Sequence, residues 1–166
     1  SPSRGLGDVY KRQGIPSIIY GLFGGIFFVT FMKMGYSLLS GSLTVAIIIL
    51  PVIIRTTEEA LKTVPQSYRE ASFALGATKL QTLYKVIVPS AMPGIISGVI
   101  LSIGRVVGES AAILLTAGTV AKMPAGIMSS ARTLTVHSYL LTKETGDIAT
   151  ASSIGIILIV IVLALN

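Results

Sequence analysis

The 166-residue sequence predicts an all-α protein that crosses a membrane several times. Only 12% of its residues are charged, about half the share in an ordinary soluble domain, and 52% are hydrophobic. The charges leave four uncharged runs, each close to the ~20 residues with which a helix crosses ~30 Å of hydrocarbon. These runs are residues 14–32, 34–54, 86–104 and 148–166. Because they are continuously apolar and do not alternate, a membrane β-barrel is excluded.

Four membrane helices follow from these runs, with boundaries adjusted to the flanking residues. The predicted helices are 15–32, 38–56, 93–117 and 147–165. Pro16 and Pro93 fall in a first turn, where the missing N–H costs nothing. Pro51 lies inside the second helix, so it predicts a kink near the helix end or another partner for the freed carbonyl.

The composition excludes several other classes of function. A net charge of +6 does not indicate nucleic-acid binding here, because the basic residues sit singly between apolar runs and aromatic residues are few. The absence of cysteine and the single histidine argue against a metal site, and no phosphate-binding G-x-x-x-x-G-K-[ST] motif is present. A Ser138–His137–Asp147 triad has no motif behind it. We therefore expect no catalytic, cofactor or metal site and no nucleic-acid partner.

Both ends of the sequence predict a fragment of a longer protein. Residues 1–13 differ in composition from the rest, and two interpretations are open: a native polar cytoplasmic tail, or non-native sequence. We favour the second, because GLGDVYKRQ resembles a translated adapter, and we exclude these residues from fold reasoning. At the other end, the last apolar run reaches Asn166 with no charges behind it.

Charge counts give a weak orientation. Segment 55–89 holds five basic and three acidic residues, whereas 117–147 holds three basic and two acidic ones and the short segment 33–37 holds one lysine. The positive-inside rule places the first in the cytoplasm and the other two outside. Three residues of the outer segment are candidates for contact with a partner protein, although a solvated loop is the favoured account. They are Arg132, His137 and Tyr139.

The cytoplasmic segment carries the strongest local signals. Its sequence SYREASFALGATKLQTLYKVIVP begins at Ser67, which forms an S-x-x-E capping box with Glu70. Gly76 suits the left-handed position that ends a short helix. Thr78 and Gln81 repeat the capping box and predict the start of a second helix.

These residues resemble the EAA loop of ATP-binding-cassette importer permeases, which reads E-A-A, three residues, G, nine residues, I-x-L-P. Glu70, Ala71 and Gly76 match at the same spacing, followed by V-x-V-P, and Ser72 replaces the second Ala. In that family the loop is a coupling helix that docks into a groove on the ATPase subunit. The resemblance implies the same role for residues 67–80, with Glu70, Ala71 and Gly76 as coupling residues. The alternative is a solvated amphipathic loop with ordinary caps.

A longer stretch is similar to the A-type permease subunit of the phosphate-specific importer. The similarity is clearest over 61–118 and extends to 14–24 and 42–61. It implies a type I importer permease fold with four of about six membrane helices present, over a domain at 14–166 with its coupling loop at about 55–92. The implied location is a bacterial or archaeal plasma membrane. The implied partners are an ABC ATPase subunit, a second permease subunit, an extracytoplasmic phosphate-binding protein and membrane lipid.

Two charges lie inside the predicted helix 93–117. Arg105 and Glu109 are 12 and 16 residues beyond Pro93, roughly 18 and 24 Å along a helix and past the membrane midplane. Their i,i+4 spacing predicts one shared face on which they pair. Because intramembrane charges cost at least ~2.5 kcal/mol each, such a pair fixes helix packing or lines the translocation path. We favour the path, where the guanidinium binds phosphate oxygens and the glutamate weakens that hold; the resembling permeases carry a functional Arg in the matching G-R-x-x-G-E stretch.

We therefore predict the transmembrane permease subunit of an ATP-driven phosphate importer. It forms half of the translocation path, couples through the EAA loop and leaves ATP hydrolysis to its partner. The nearest alternative is a permease of another anion importer, of the molybdate or sulfate type. A membrane-integral enzyme or a passive channel is a more distant one.

Overall fold

A computed structural model describes residues 16–165, and within that range every regular element is a helix. This confirms the all-α prediction, whereas the proposal for residues 1–13 lies outside the described residues. We number seven helices in chain order, counting continuous helical stretches as one. They are α1 Ser17–Phe31, α2 Leu38–Lys62, α3 Gln66–Ala74, α4 Lys79–Val107, α5 Ala111–Leu114, α6 Leu134–Leu140 with its π-helical continuation Leu141–Thr145, and α7 Ile148–Leu165.

Three of the helices, α2, α4 and α7, are long and apolar enough to cross a membrane. Helix α1 is apolar but shorter, and it ends in the π-helical turn Gly25–Phe31. The predicted helices 15–32, 38–56 and 147–165 are therefore present, and α2 continues through Pro51 to Lys62. Multiple apolar helices confirm a polytopic membrane protein.

The third predicted helix was placed wrongly. Instead of 93–117, the structure has a 29-residue helix, α4, that contains both Pro89 and Pro93 and ends at Val107. A π-helical turn, Leu83–Ile87, lies just before Pro89. It interrupts the regular α-helical hydrogen-bond pattern close to the prolines, which have no backbone N–H to donate. Pro93 was predicted to lie in the first turn of this helix, whereas the helix begins after the Thr78–Gln81 capping box, about four turns earlier.

The first of two compact units consists of residues 16–48 and 108–161. Helix α1 lies so close to α5 that a Cβ on Gly21 would come 2.8 Å from the Ala112 Cα. The first amides of α2 are bound by the loop that follows α5: Ser37 N–H donates to Thr116 O over 3.2 Å, and Leu38 N–H donates to Ser129 O over 3.0 Å. The loop therefore satisfies the helix end that would otherwise lack acceptors.

The second unit comprises Ile49–Val107 and residues 162–165. Here α2 and α4 pack against each other through small residues: a Cβ on Gly98 would lie 2.6 Å from Thr56 Oγ1. Near the C-terminal end of α2 the contact between α2 and α4 becomes apolar. Its buried residues are Ala60, Val64, Ile87 and Ala91. Small residues of α4 thus allow close packing against α2, as is common between membrane helices.

This packing predicts that Gly98→Ala destabilises the protein. The added methyl group has to displace the β-branched Thr56, an overpacking that costs about 1–2 kcal/mol. Gly155→Ala is the matched control, because this helical glycine of α7 has nothing within 4 Å of its Cβ position. Thermal unfolding in detergent should show a lower midpoint for Gly98→Ala alone. Equal midpoints for both variants would contradict the observed approach of α2 and α4.

Helix α7 presents mostly exposed apolar side chains, as a helix surrounded by lipid or by other membrane helices does. Its start is polar: the carboxylate of Asp147 accepts hydrogen bonds from Thr150 Oγ1 at 2.6 Å and from Thr150 N at 3.0 Å. The hydroxyl bond, followed by the amide bond, lowers the pKa of Asp147. The cap is therefore charged at neutral pH and marks one end of the membrane helix.

Candidate functional site

The coupling segment, residues 63–78, connects α2 to α4 and contains α3. Helix α3 begins directly after Pro65, one residue earlier than Ser67. The predicted Ser67–Glu70 capping box was therefore wrong, because Ser67 is already inside the helix and cannot cap it. The Glu70 carboxylate instead accepts a hydrogen bond from Gln66 Nε2 at 3.0 Å, along the exposed surface.

Gly76 ends α3 as predicted, with a left-handed φ of +82°. Its N–H donates to Phe73 O over 2.9 Å, and Ala77 N–H donates to Ser72 O over 3.2 Å. A Cβ at this position would meet nothing within 4 Å. Within the coupling segment, glycine is therefore favoured at residue 76 by its left-handed backbone conformation and not by a lack of space for a side chain.

The second capping box is confirmed. Thr78 Oγ1 accepts from Gln81 N at 3.3 Å, and Gln81 Oε1 accepts from Thr78 N at 2.9 Å. These reciprocal bonds start α4, so the chain turns from the coupling segment into a membrane helix within three residues of Gly76.

Two polar contacts tie α3 to the helices on either side. Ser72 Oγ and Thr82 Oγ1 are 2.8 Å apart in a buried hydrogen bond to the first turn of α4. On the other side, Arg69 Nη2 donates over 3.3 Å to Leu61 O, one of the last carbonyls of α2. Sequence reasoning missed both contacts, although the polar Ser72 in place of the second motif Ala was a signal that a partner is needed.

The outer surface of the segment is open. Glu70, Ala71 and Gly76, the three predicted coupling residues, are all exposed on this one segment. Large apolar side chains are exposed beside them, including Phe73 at 46% and Leu75 at 89%. An exposed apolar surface next to a charged residue is the composition of a protein-contact surface.

Arg105 and Glu109 are not arranged as predicted. Arg105 lies in the last turn of α4 and is exposed, whereas Glu109 follows the helix end at Val107. The helical i,i+4 argument therefore does not apply, because Gly108 interrupts the helix. Glu109 Oε1 instead accepts from Ala112 N at 3.2 Å and caps α5.

The ion pairs within the described residues lie elsewhere, on α2: Arg55 with Glu59 and Lys62 with Glu58, all at exposed positions. Arg105 is 26 residues beyond Lys79, roughly 39 Å along α4 from the coupling segment. The two groups of predicted site residues thus lie near opposite ends of one membrane helix.

The outer-segment residues form a small polar cluster. Arg132 Nε donates to Thr119 O over 2.6 Å, and Arg132 Nη1 lies 3.0 Å from His137 Nδ1. Both line a cavity of about 310 Å³ together with Lys122. Tyr139 lines a separate, mainly apolar cavity of about 150 Å³ near α1 and α5. The structure therefore brings together two of the three predicted residues.

Known proteins resemble much of the chain. It is 38% identical to the probable ABC transporter permease protein YqgI of Bacillus subtilis, over 93% of this chain and 58% of that protein. It is 43% identical to the phosphate transport system permease protein PstA 1 of Mycobacterium tuberculosis, over 63% of this chain and 34% of the relative. A PstA homolog of Mycoplasma pneumoniae is 37% identical over 76% of this chain and 20% of the relative.

The chain thus spans little more than half the length of the first of these relatives. No solved structure matches it. The family described as the binding-protein-dependent transport system inner membrane component matches residues 12–166, which include every helix described above. Together with the membrane-spanning helices, this match shows that the chain is a multi-pass inner-membrane protein that belongs to the family of binding-protein-dependent transport permeases.

Proposed function

We propose that this chain is the permease subunit of an ATP-driven phosphate importer. In this proposal it forms half of the translocation path and couples to the ATPase subunit through the coupling segment. The observation that carries the proposal is the construction of that segment: a short helix with an exposed outer surface, bonded to both neighbouring membrane helices. The names of the PstA relatives support phosphate as the substrate.

The way in which α3 is held supports the proposed coupling role. A force applied to its exposed surface reaches α2 through Arg69 and α4 through Ser72, because neither contact is a flexible linker. Closure of an ATPase dimer displaces whatever is docked on it, and a short rigid helix passes that displacement on as a rigid-body movement. Glu70, Ala71 and Gly76 are the proposed contact residues in this step.

The path role is proposed for Arg105 and Glu109. A guanidinium provides planar paired donors that match phosphate oxygens, and it stays charged at every physiological pH. Its exposed position near the end of a membrane helix is costly in lipid, which favours an aqueous path or a subunit interface as its surroundings. Glu109, which caps α5 four residues further along the chain, is proposed to limit through its negative charge how tightly an anion is held, as transit requires.

The chemistry of ATP hydrolysis belongs to the partner in this proposal. The complete transporter would contain this chain, a second permease subunit, ATPase subunits and an extracytoplasmic phosphate-binding protein. Alternating access then results when the coupling helices move and the path opens toward the binding protein.

Substrate competition tests the proposed anion. In proteoliposomes carrying the complete transporter, unlabelled phosphate is expected to suppress ATP-dependent uptake of radiolabelled phosphate, while equal concentrations of molybdate and sulfate leave it intact. Omission of ATP is the control for passive leakage. Equal suppression by sulfate or molybdate would favour an importer of another anion, and uptake without ATP would favour a channel.

A further inference from the structure

The Ser72–Thr82 hydrogen bond is an unusual way to seat a surface helix. Ser72 is the buried residue of α3, and the other residues of this helix are exposed or half-buried. Thr82 is 2% exposed and Ser72 is 8% exposed, and their hydroxyl oxygens are 2.8 Å apart. This contact between α3 and α4 is therefore polar and directional, whereas most contacts between packed helices are apolar.

A directional polar contact fixes the position of one helix on another more strictly than an apolar contact does. Apolar contacts tolerate sliding by fractions of a turn, whereas a hydroxyl pair is satisfied in one register only. Losing either hydroxyl leaves the other buried and unbonded, which is more costly than removing both.

We infer that Ser72 and Thr82 form a latch that fixes the register of the coupling helix on α4, so that the two move as one lever. This inference rests on the proposed coupling function and identifies two positioning residues for it. Both side chains are buried between α3 and α4, so neither belongs to the exposed surface that is proposed to contact the ATPase. Their contribution is to convert displacement of α3 into displacement of α4.

The experiment measures phosphate taken up per ATP hydrolysed by the complete transporter in proteoliposomes. Ser72→Ala and Thr82→Val are each expected to lower this ratio by roughly tenfold, because each leaves one buried hydroxyl without a partner. The double variant is expected to lose no more than the worse single variant, and Thr82→Ser, which keeps the hydroxyl, to retain the ratio. Ser90→Ala is the matched control, since that hydroxyl bonds within its own helix to Val86 O.

Failure of the latch and failure of the proposed coupling give different results. Co-purification of the ATPase subunit with every variant shows that coupling partners are engaged, and an unchanged uptake-to-ATP ratio would then overturn the latch alone. Additive losses in the double variant would overturn it too. If the ATPase subunit binds neither the wild type nor the variants, it is the coupling proposal that fails.

Where a variant assembles poorly, a cross-link between residues 72 and 82 tests whether the latch stays closed during transport. The sequence contains no cysteine, so a Ser72→Cys/Thr82→Cys pair is the only thiol pair in this chain. A latch that stays closed throughout the cycle predicts that the pair oxidises readily and that uptake continues at the reduced-state rate. Blocked uptake after oxidation, or no cross-link in an active transporter, would overturn the proposal.

Discussion

Gly76→Asp is expected to uncouple the transporter, with ATPase subunit binding and ATP-dependent uptake both reduced by roughly a hundredfold. The cause is the position of the new carboxylate: it lies on the exposed coupling surface, and an unpaired charge buried at an interface costs about 3 kcal/mol. Backbone strain from the positive φ also arises in a Gly146→Asp variant, so comparison with that variant separates strain from the effect of the charge. Pull-down of the ATPase subunit and uptake by the complete transporter measure the two effects.

Gly146→Asp provides a control with the same backbone demand. Gly146 also has a left-handed φ, of +67°, and also has nothing within 4 Å of its Cβ position. It differs in lying between α6 and α7 and not on the coupling segment. The coupling proposal predicts normal ATPase binding for this variant, and it fails if Gly76→Asp binds the ATPase as well as Gly146→Asp does.

Arg105→Ala is expected to reduce phosphate uptake to below roughly 1% of wild type while the subunits still assemble. Loss of the guanidinium removes the charged donors proposed to bind the anion, at a cost of at least about 2.7 kcal/mol. Arg105→Lys should recover part of the uptake, because it keeps the charge but lacks the planar fork. Uptake of radiolabelled phosphate and co-purification of the partner subunits are the measurements.

Arg55→Ala is the matched arginine variant. Arg55 lies on α2, 79% exposed in its side chain, and pairs with Glu59 at 3.4 Å. Exposed pairs of this type contribute little, so uptake should stay near the wild-type level. Equal losses for Arg55→Ala and Arg105→Ala would indicate a general effect of removing surface charge and would remove Arg105 from the proposed path.

The sequence was sufficient to predict that the membrane helices exist, but not to predict where each of them begins and ends. Uncharged runs of about twenty residues identify a span whatever the neighbouring chain does, which is why α2 and α7 were predicted well. The start of α4 was predicted wrongly because proline occurs at two kinds of position in helices. It commonly opens a helix, yet inside a membrane helix it is tolerated where a π-turn and neighbouring groups accommodate it.

Local signals in the coupling segment were predictable where the backbone alone decides. Gly76 and the Thr78–Gln81 box depend on φ and on bonds between residues three apart, so they were visible in the sequence. The Ser72–Thr82 bond joins residues ten apart across a turn, so no local spacing identifies Thr82 as the partner that Ser72 needs. The predicted Arg105–Glu109 helical face was wrong because one glycine, Gly108, ends the helix between the two.

The most direct test is ATP-dependent phosphate uptake in proteoliposomes reconstituted with all subunits, compared between wild type and Gly76→Asp at equal amounts of this permease chain. Our account predicts rapid uptake that requires ATP in the wild type, and its loss when the coupling surface carries the new charge. Uptake that is equally fast in both, or that proceeds without ATP, would contradict the claim that this chain couples ATP hydrolysis to phosphate movement.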